Sequence, residues 1–145
     1  MRKSAIGWVL AGFTLLAPAY SQSVTITPTS VSVHLGTFYQ FTARVTGVSP
    51  TTVAYSVALP AGATGSPGTI SAGGRYTPPS AIPGGGTVIV KVASVAAPTV
   101  FATANVTLEN PFPTLASAKP ATLPPGPFTL TLNGSGFVNG AMVLF

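Results

Sequence analysis

The stretch 37–45, Thr-Phe-Tyr-Gln-Phe-Thr-Ala-Arg-Val, decides the fold. From Tyr39 to Val45 every second residue is apolar, and the residues between them are polar. This period of two is that of an extended chain that buries one of its faces. The stretch therefore predicts a central strand of a β-sandwich.

On both sides of this stretch, the chain from Val24 to Leu108 alternates in the same way over short segments separated by turn residues. Such spacing predicts an all-β sandwich of about seven strands. Besides the central strand, the predicted strands are an edge strand split by Pro28 into 24–27 and 31–33, then 53–57, 68–71, 75–77, 88–92 and 102–108. Phe41 and Tyr55 lie in the middle of their strands on the inward face, so we expect them to be the deepest aromatic side chains.

The composition supports an ordered core without covalent staples. Hydrophobic residues make up 46% of the chain and charged residues 5%, which excludes charge-driven disorder, and 16 glycines and 15 prolines predict many turns. The cysteine count is zero, which excludes disulfides, zinc–thiolate sites, thiol nucleophiles and the bridge of antibody-type domains. Apolar packing must therefore hold the domain together.

The positive charge is scattered. The formal net charge is +5, but Arg2 and Lys3 lie at the extreme N-terminus. The other four cations are Arg44, Arg75, Lys91 and Lys119. A nucleic-acid surface needs a patch or stripe of cations, so we expect no nucleic-acid partner.

Residues 1–21 have the three parts of a secretory signal peptide. Arg2 and Lys3 form the positive region, residues 5–16 the apolar run, and Ala17-Pro18-Ala19 or Ala19-Tyr20-Ser21 the small-x-small cleavage site. A membrane-spanning helix would need ~20 apolar residues, and the run breaks at Pro18. The segment predicts a helical signal peptide, a secreted or cell-surface protein, and no membrane span after cleavage.

Residues 22–108 resemble the bacterial Ig-like domains of the group 2 type. The resemblance is carried by Ile26-Thr27-Pro28, Val31-Ser32-Val33, Gly36, Gln40-Phe41-Thr42-Ala43, Tyr55-Ser56-Val57, Gly68-Thr69-Ile70-Ser71, Gly74-Arg75-Tyr76-Thr77-Pro78 and Val88-Ile89-Val90. It implies an immunoglobulin-like sandwich of the kind that recurs in tandem in surface adhesins and large exported proteins. Those domains usually carry Trp where this chain has Tyr55, whose hydroxyl would need a partner if buried.

Pro111 and Pro113 fix an extended chain, so residues 109–112 are predicted to be a linker. After it the pattern restarts, with a predicted strand at 128–132 followed by a Gly-x-x-Phe motif that ends at Phe137. Residues 113–145 resemble the opening of an IPT/TIG domain, a second immunoglobulin-like fold. The segment is short for such a domain. We therefore expect it to be poorly packed or folded back on the first domain, and the natural protein to continue past Phe145.

The chain offers few groups for chemistry. Glu109 is the one carboxylate side chain and there is no Asp, so paired catalytic carboxylates, a Ser-His-Asp relay and an acidic calcium cage all lack residues. His34, the one histidine, has no convergent partner in the sequence pattern and is interpreted as a half-exposed strand residue. We expect no enzyme activity, and no catalytic, metal or cofactor-binding residue.

Two further motifs have structural interpretations. Gly134, Gly136 and Gly140 nearly match a dinucleotide-binding loop but lack its spacing, helix and acidic residue, so they are interpreted as turn glycines. Asn105 and Asn133 begin glycosylation sequons. The resemblance implies a bacterial source, in which these side chains would be plain solvated residues.

Three hypotheses on function follow. The chain is the start of a tandem array of Ig-like modules, each a spacer or a binding surface for a protein or glycan. Alternatively, it forms accessory N-terminal domains of a secreted enzyme whose catalytic domain lies beyond residue 145. A carbohydrate-binding module would need a row of exposed aromatic residues, for which Phe38, Phe101 and Phe112 are the candidates. The gene sequence past residue 145 distinguishes the first two hypotheses.

Secreted material should begin at Tyr20 or Gln22, because both cleavage sites place small residues at the two positions that signal peptidases recognise. N-terminal sequencing of the secreted protein checks this. An intact Met1 in a membrane fraction would contradict the signal-peptide interpretation.

Overall fold

The computed structural model describes residues 21–122 and 125–142, and over these ranges the chain is all-β, as predicted. Residues 1–20 of the predicted signal peptide lie outside the described residues. Within those residues, no helix has the length and apolarity to cross a membrane.

Eleven strands occur in the described ranges, nine of them before Asn110. They are β1 (Ser23–Thr27), β2 (Ser30–His34), β3 (Tyr39–Gln40), β4 (Thr42–Thr46), β5 (Val53–Ala58), β6 (Thr69–Ile70), β7 (Arg75–Thr77), β8 (Thr87–Ser94), β9 (Phe101–Glu109), β10 (Thr114–Lys119) and β11 (Thr131–Ser135). The predicted strands of the first domain are all present. Their number is higher because two predicted strands are each divided in two.

One layer of the sandwich is a four-stranded sheet in the order β2-β9-β8-β5. β2 runs parallel to β9, and the other neighbours are antiparallel. Alternate residues of β8 and β9 point inward, as their period of two predicts. The buried residues of these two strands are Val88, Val90, Val92, Ser94, Ala104, Val106 and Leu108.

The other layer is formed by the pair β1-β4 and the three strands β3-β7-β6. β3 and β4 are the two halves of the predicted central strand, so the prediction of one uninterrupted strand was wrong. The interruption is at Phe41, whose amide donates to the Gly74 carbonyl (2.9 Å). The Gln40 side chain donates to the Phe41 carbonyl (2.8 Å) and to the Gly73 carbonyl (2.6 Å). The Gln40 side-chain amide thus donates to the Phe41 carbonyl oxygen, which in an uninterrupted strand would accept a hydrogen bond from a neighbouring strand.

The predicted split of the first strand at Pro28 is confirmed. β1 pairs with β4 in one layer, and β2 pairs with β9 in the other. Each lies at the edge of its sheet. Edge positions suit a break at proline, because proline has no amide hydrogen to donate to a ladder.

Phe41 and Tyr76 are the largest fully buried side chains of the described residues, so the expectation for Phe41 is confirmed and that for Tyr55 was wrong. Tyr55 is only half-buried and lies on the edge strand β5, whereas β7, which carries Tyr76, lies between two strands. The Tyr76 hydroxyl donates to the Pro67 carbonyl (2.8 Å). Burial raises the pKa of Tyr76 to about 12 and also raises the pKa of Tyr55.

Residues after the sandwich form an antiparallel hairpin of β10 and β11, with an irregularity between Leu115 and Ser117. The strand predicted at 128–132 was misplaced, because the structure has it at Thr131–Ser135. In this register the hydroxyls of Thr114 and Ser135 are 2.7 Å apart, and the Asn133 amide donates to the Ser117 hydroxyl (3.2 Å). The strand therefore ends among polar cross-strand pairs that hydrophobic alternation does not reveal.

Replacing Phe41 or Tyr76 with Ala should lower the free energy of unfolding by about 3 to 5 kcal/mol, through lost burial and a cavity. Thr42→Ala, on the exposed face of the same stretch, should change it by no more than roughly 0.5 kcal/mol. Urea melts of the three variants check this. Equal losses at positions 41 and 42 would mean that the register is wrong.

Candidate functional site

The structure brings together the one histidine and the one carboxylate side chain of the chain. His34 ends β2, Glu109 ends β9, and the parallel register places them opposite each other. The His34 Nε2 lies 3.1 Å from the Glu109 Oε2, and the His34 Nδ1 lies 2.6 Å from the Asn110 carbonyl oxygen. His34 is a half-exposed strand residue, as predicted, but it has two contact partners in the chain that the sequence pattern did not show.

Phe112 adds an aromatic contact to this cluster. Its ring centroid lies 3.7 Å from that of His34, with the two planes inclined by 37°. Three residues of the predicted linker, Glu109, Asn110 and Phe112, thus contact one side chain of β2. We call His34 and these three residues the exit junction, because the chain leaves the sandwich there.

The exit junction is poorly suited to catalysis or metal binding. Both ring nitrogens of His34 face oxygen atoms of the chain itself, so neither is open to a substrate or a metal ion. Within the part of the chain that the structure describes, no three His, Cys, Asp or Glu side chains come together. A nucleophile or metal set would need such convergence.

The three candidate aromatic residues do not form a row. Phe38 precedes β3 in one layer and Phe101 begins β9 in the other. The Arg75 guanidinium lies 3.6 Å from the Phe38 ring centroid, and the Lys91 ammonium lies 4.1 Å from that of Phe101. Each ring therefore carries a cation on one face, while Phe112 stacks on His34. Stacking of a sugar along one flat aromatic platform is not supported by this arrangement.

Two of the three motif glycines have positive φ, as turn positions require: Gly136 at 73° and Gly140 at 83°. Gly134 instead lies inside β11, so its interpretation as a turn glycine was wrong. A Cβ at position 134 would clash with the Thr114 carbonyl oxygen of β10 and would also lie 2.8 Å from the Phe137 ring, so glycine is needed where the two strands cross this ring. Asn105 is exposed on β9, and Asn133 is used in the hairpin contact described above.

An open groove of about 560 Å³ lies beside the exit junction. Phe137 and Val138, which follow β11, line it together with Leu35, Gly36 and Ile82 of the sandwich. Asn110 and Pro111 of the exit segment form part of the same wall. The path of residues 110–112 therefore helps to set where the hairpin segment lies against the sandwich.

A search of protein-family models found no match to this chain, and a search of curated proteins found none either. The two family resemblances stay predictions.

Calcium and EDTA should leave the melting temperature of the chain unchanged. A hard cation takes six or more oxygen ligands, mostly carboxylates, and residues 22–108 contain no Asp or Glu. Thermal denaturation followed by circular dichroism measures this, with sodium chloride of equal ionic strength as the control. A shift produced by calcium and reversed by EDTA would contradict the expectation.

Proposed function

We propose that this chain is a non-catalytic exported module that acts as a spacer or binding unit in a series of Ig-like modules of a secreted or cell-surface protein. The observation that carries the proposal is the position of the two chain ends. The chain enters the sandwich at one end and leaves it at the other.

The strand pairings locate both ends. Ser23, where β1 begins, pairs with Thr46 at the end of β4. Glu109, where β9 ends, pairs with His34, which a short turn connects to Tyr39 at the start of β3. Entry and exit therefore lie at opposite ends of the stretch from Tyr39 to Thr46.

The length of this stretch gives the separation. It contains eight residues, and an extended chain rises ~3.3 Å per residue, so the two ends are about 25 Å apart. A module of this kind adds its own length each time it is repeated. A module with both ends on one side would instead project from the chain without extending it.

The next strands begin a few residues after the sandwich ends. β9 ends at Glu109 and β10 begins at Thr114, so four residues separate the sandwich from the next antiparallel pair. A short connection of this kind supports a series of modules, because it leaves little slack between neighbours. The same geometry serves an accessory segment that holds a secreted catalytic domain away from its attachment point.

The outer face of the four-stranded sheet suits an uncharged partner. The half-buried Lys91 and the exposed ring of Phe101 lie against each other on this face, and most of its other exposed residues are small or polar. They include Ser30, Ser32, Ala54, Ser56, Ala58, Thr103, Asn105 and Thr107. Hydroxyl and amide groups hydrogen-bond a neutral glycan or a polypeptide without discriminating charge. A protein or glycan ligand, rather than a nucleic acid, is the partner class that this face favours.

The end-to-end geometry can be measured with two spin labels, because the chain has no cysteine of its own. Gln22→Cys with Asn110→Cys should give a distance of about 25 to 35 Å, from the rise per residue of the strands. The matched control, Gln22→Cys with Ser49→Cys, labels one end only and should give less than ~20 Å. Equal distances in the two pairs would refute the spacer geometry.

A further inference from the structure

The hydrogen-bonding chemistry of the exit junction depends on the protonation of His34. A carbonyl oxygen and an ionised carboxylate can only accept hydrogen bonds. The His34 Nδ1 faces the Asn110 carbonyl oxygen, and the His34 Nε2 faces the Glu109 carboxylate. A neutral imidazole carries one N–H and can donate to only one of them, whereas the imidazolium donates to both.

We infer that His34 is a pH-responsive latch that holds the exit segment 109–112 against the end of β2. The protonated form holds Asn110 and Glu109 at the same time. Loss of the proton leaves one nitrogen lone pair facing an oxygen lone pair, and that contact is released. Histidine changes charge between about pH 5 and 8, so the latch is closed at the acidic end of this range and opens at the alkaline end.

Phe112 favours the same protonation state. An aromatic face attracts a cation, and the Phe112 ring lies close enough to the imidazole to do so. All three contacts of His34 within the exit segment therefore strengthen when the ring is charged. The His34 and Glu109 side chains are 28% and 43% exposed, so solvent reaches both.

Glu109 is the charged group that contacts the His34 ring. β2 carries no other titratable side chain, β9 contributes Glu109, and Asn110 and Phe112 are neutral. Among the residues that the structure describes, Glu109 is the one acidic side chain within ion-pair distance of His34, and no cation contact competes with it. The pH response of the junction therefore belongs to this pair.

Opening the latch would free the direction in which the chain leaves the sandwich. The backbone ladder of β2 and β9 continues one step past His34, where the Leu35 amide donates to the Glu109 carbonyl (2.9 Å). That bond is the last rung before the exit segment, so its amide reports fraying there, and beyond it the junction contacts help to hold residues 110 and 112. The inference goes beyond the proposed function, because the latch operates whether the chain is a spacer or an accessory domain.

Amide exchange measured by NMR on the full chain tests the latch. The exchange rate of the Leu35 amide is divided by that of the Leu108 amide, which donates to the Gly86 carbonyl (2.8 Å) away from the junction. This ratio removes the pH dependence that the two amides share, and the charge of the neighbouring His34, which accelerates intrinsic exchange at Leu35, acts against the expected rise. The ratio should rise at least about threefold from pH 5.5 to pH 8, as expected for loss of local protection. The single histidine makes its ring signals unambiguous, and they should change over the same pH interval.

Glu109→Gln is the decisive variant. The glutamine amide can donate to a neutral Nε2 while Nδ1–H donates to Asn110, so both contacts survive at every protonation state. The exchange ratio of this variant should therefore stay flat with pH. His34→Phe keeps an aromatic ring beside Phe112 but loses both donors, and its ratio should be high at both pH values.

Two results would overturn the inference. One is a wild-type ratio that does not change with pH, and the other is the same pH profile in wild type and Glu109→Gln. Both can be read from folded protein, because neither side chain belongs to the buried core and the Leu108 amide reports an intact sheet. The label distances of the spacer test are independent of this result, so each proposal fails by itself.

Discussion

The burial of Phe41 between the two layers is the constraint on which the rest of this sandwich depends. Its side chain joins the same core cluster as the inward residues of β8 and β9. Its backbone amide donates to the Gly74 carbonyl in the β6–β7 turn. Phe41 therefore packs between the two layers and also takes part in the hydrogen bonding of one of them. A fully buried apolar side chain contributes about 1.5 to 3 kcal/mol. With no disulfide to assist, several such side chains must act together.

Hydrophobic alternation was sufficient to predict the class of fold and the inward residues of β8 and β9, because both depend on one face of a strand being buried. It could not predict which neighbours cover that face. Tyr55 lies in a longer alternating segment than Tyr76, but only Tyr76 lies on a strand with neighbours on both sides. The interruption at Phe41 also depends on a distant turn, since Gln40 reaches the Gly73 carbonyl.

The exit junction was beyond sequence-based reasoning for the same reason. His34 and Asn110 are 76 residues apart in the chain, and a parallel pairing of β2 with β9 brings them together. The one sequence feature that could have suggested the exit junction is the low number of ionisable side chains. A chain with a single carboxylate side chain and a single histidine has them in direct contact, and that contact lies where two prolines begin to stiffen the connection.

A module that separates its neighbours by its own length is useful only if the next segment leaves in a defined direction. Pro111 and Pro113 fix their own φ and restrict residues 110 and 112 to extended conformations, but they do not set how residues 109, 110 and 112 lie against the sandwich. In this structure those three residues all contact His34. The stiffness of the connection therefore depends on one side chain on the preceding domain as well as on the composition of the linker. If His34 acts as the proposed latch, the direction in which the exit segment leaves the sandwich would depend on pH as well as on the fold.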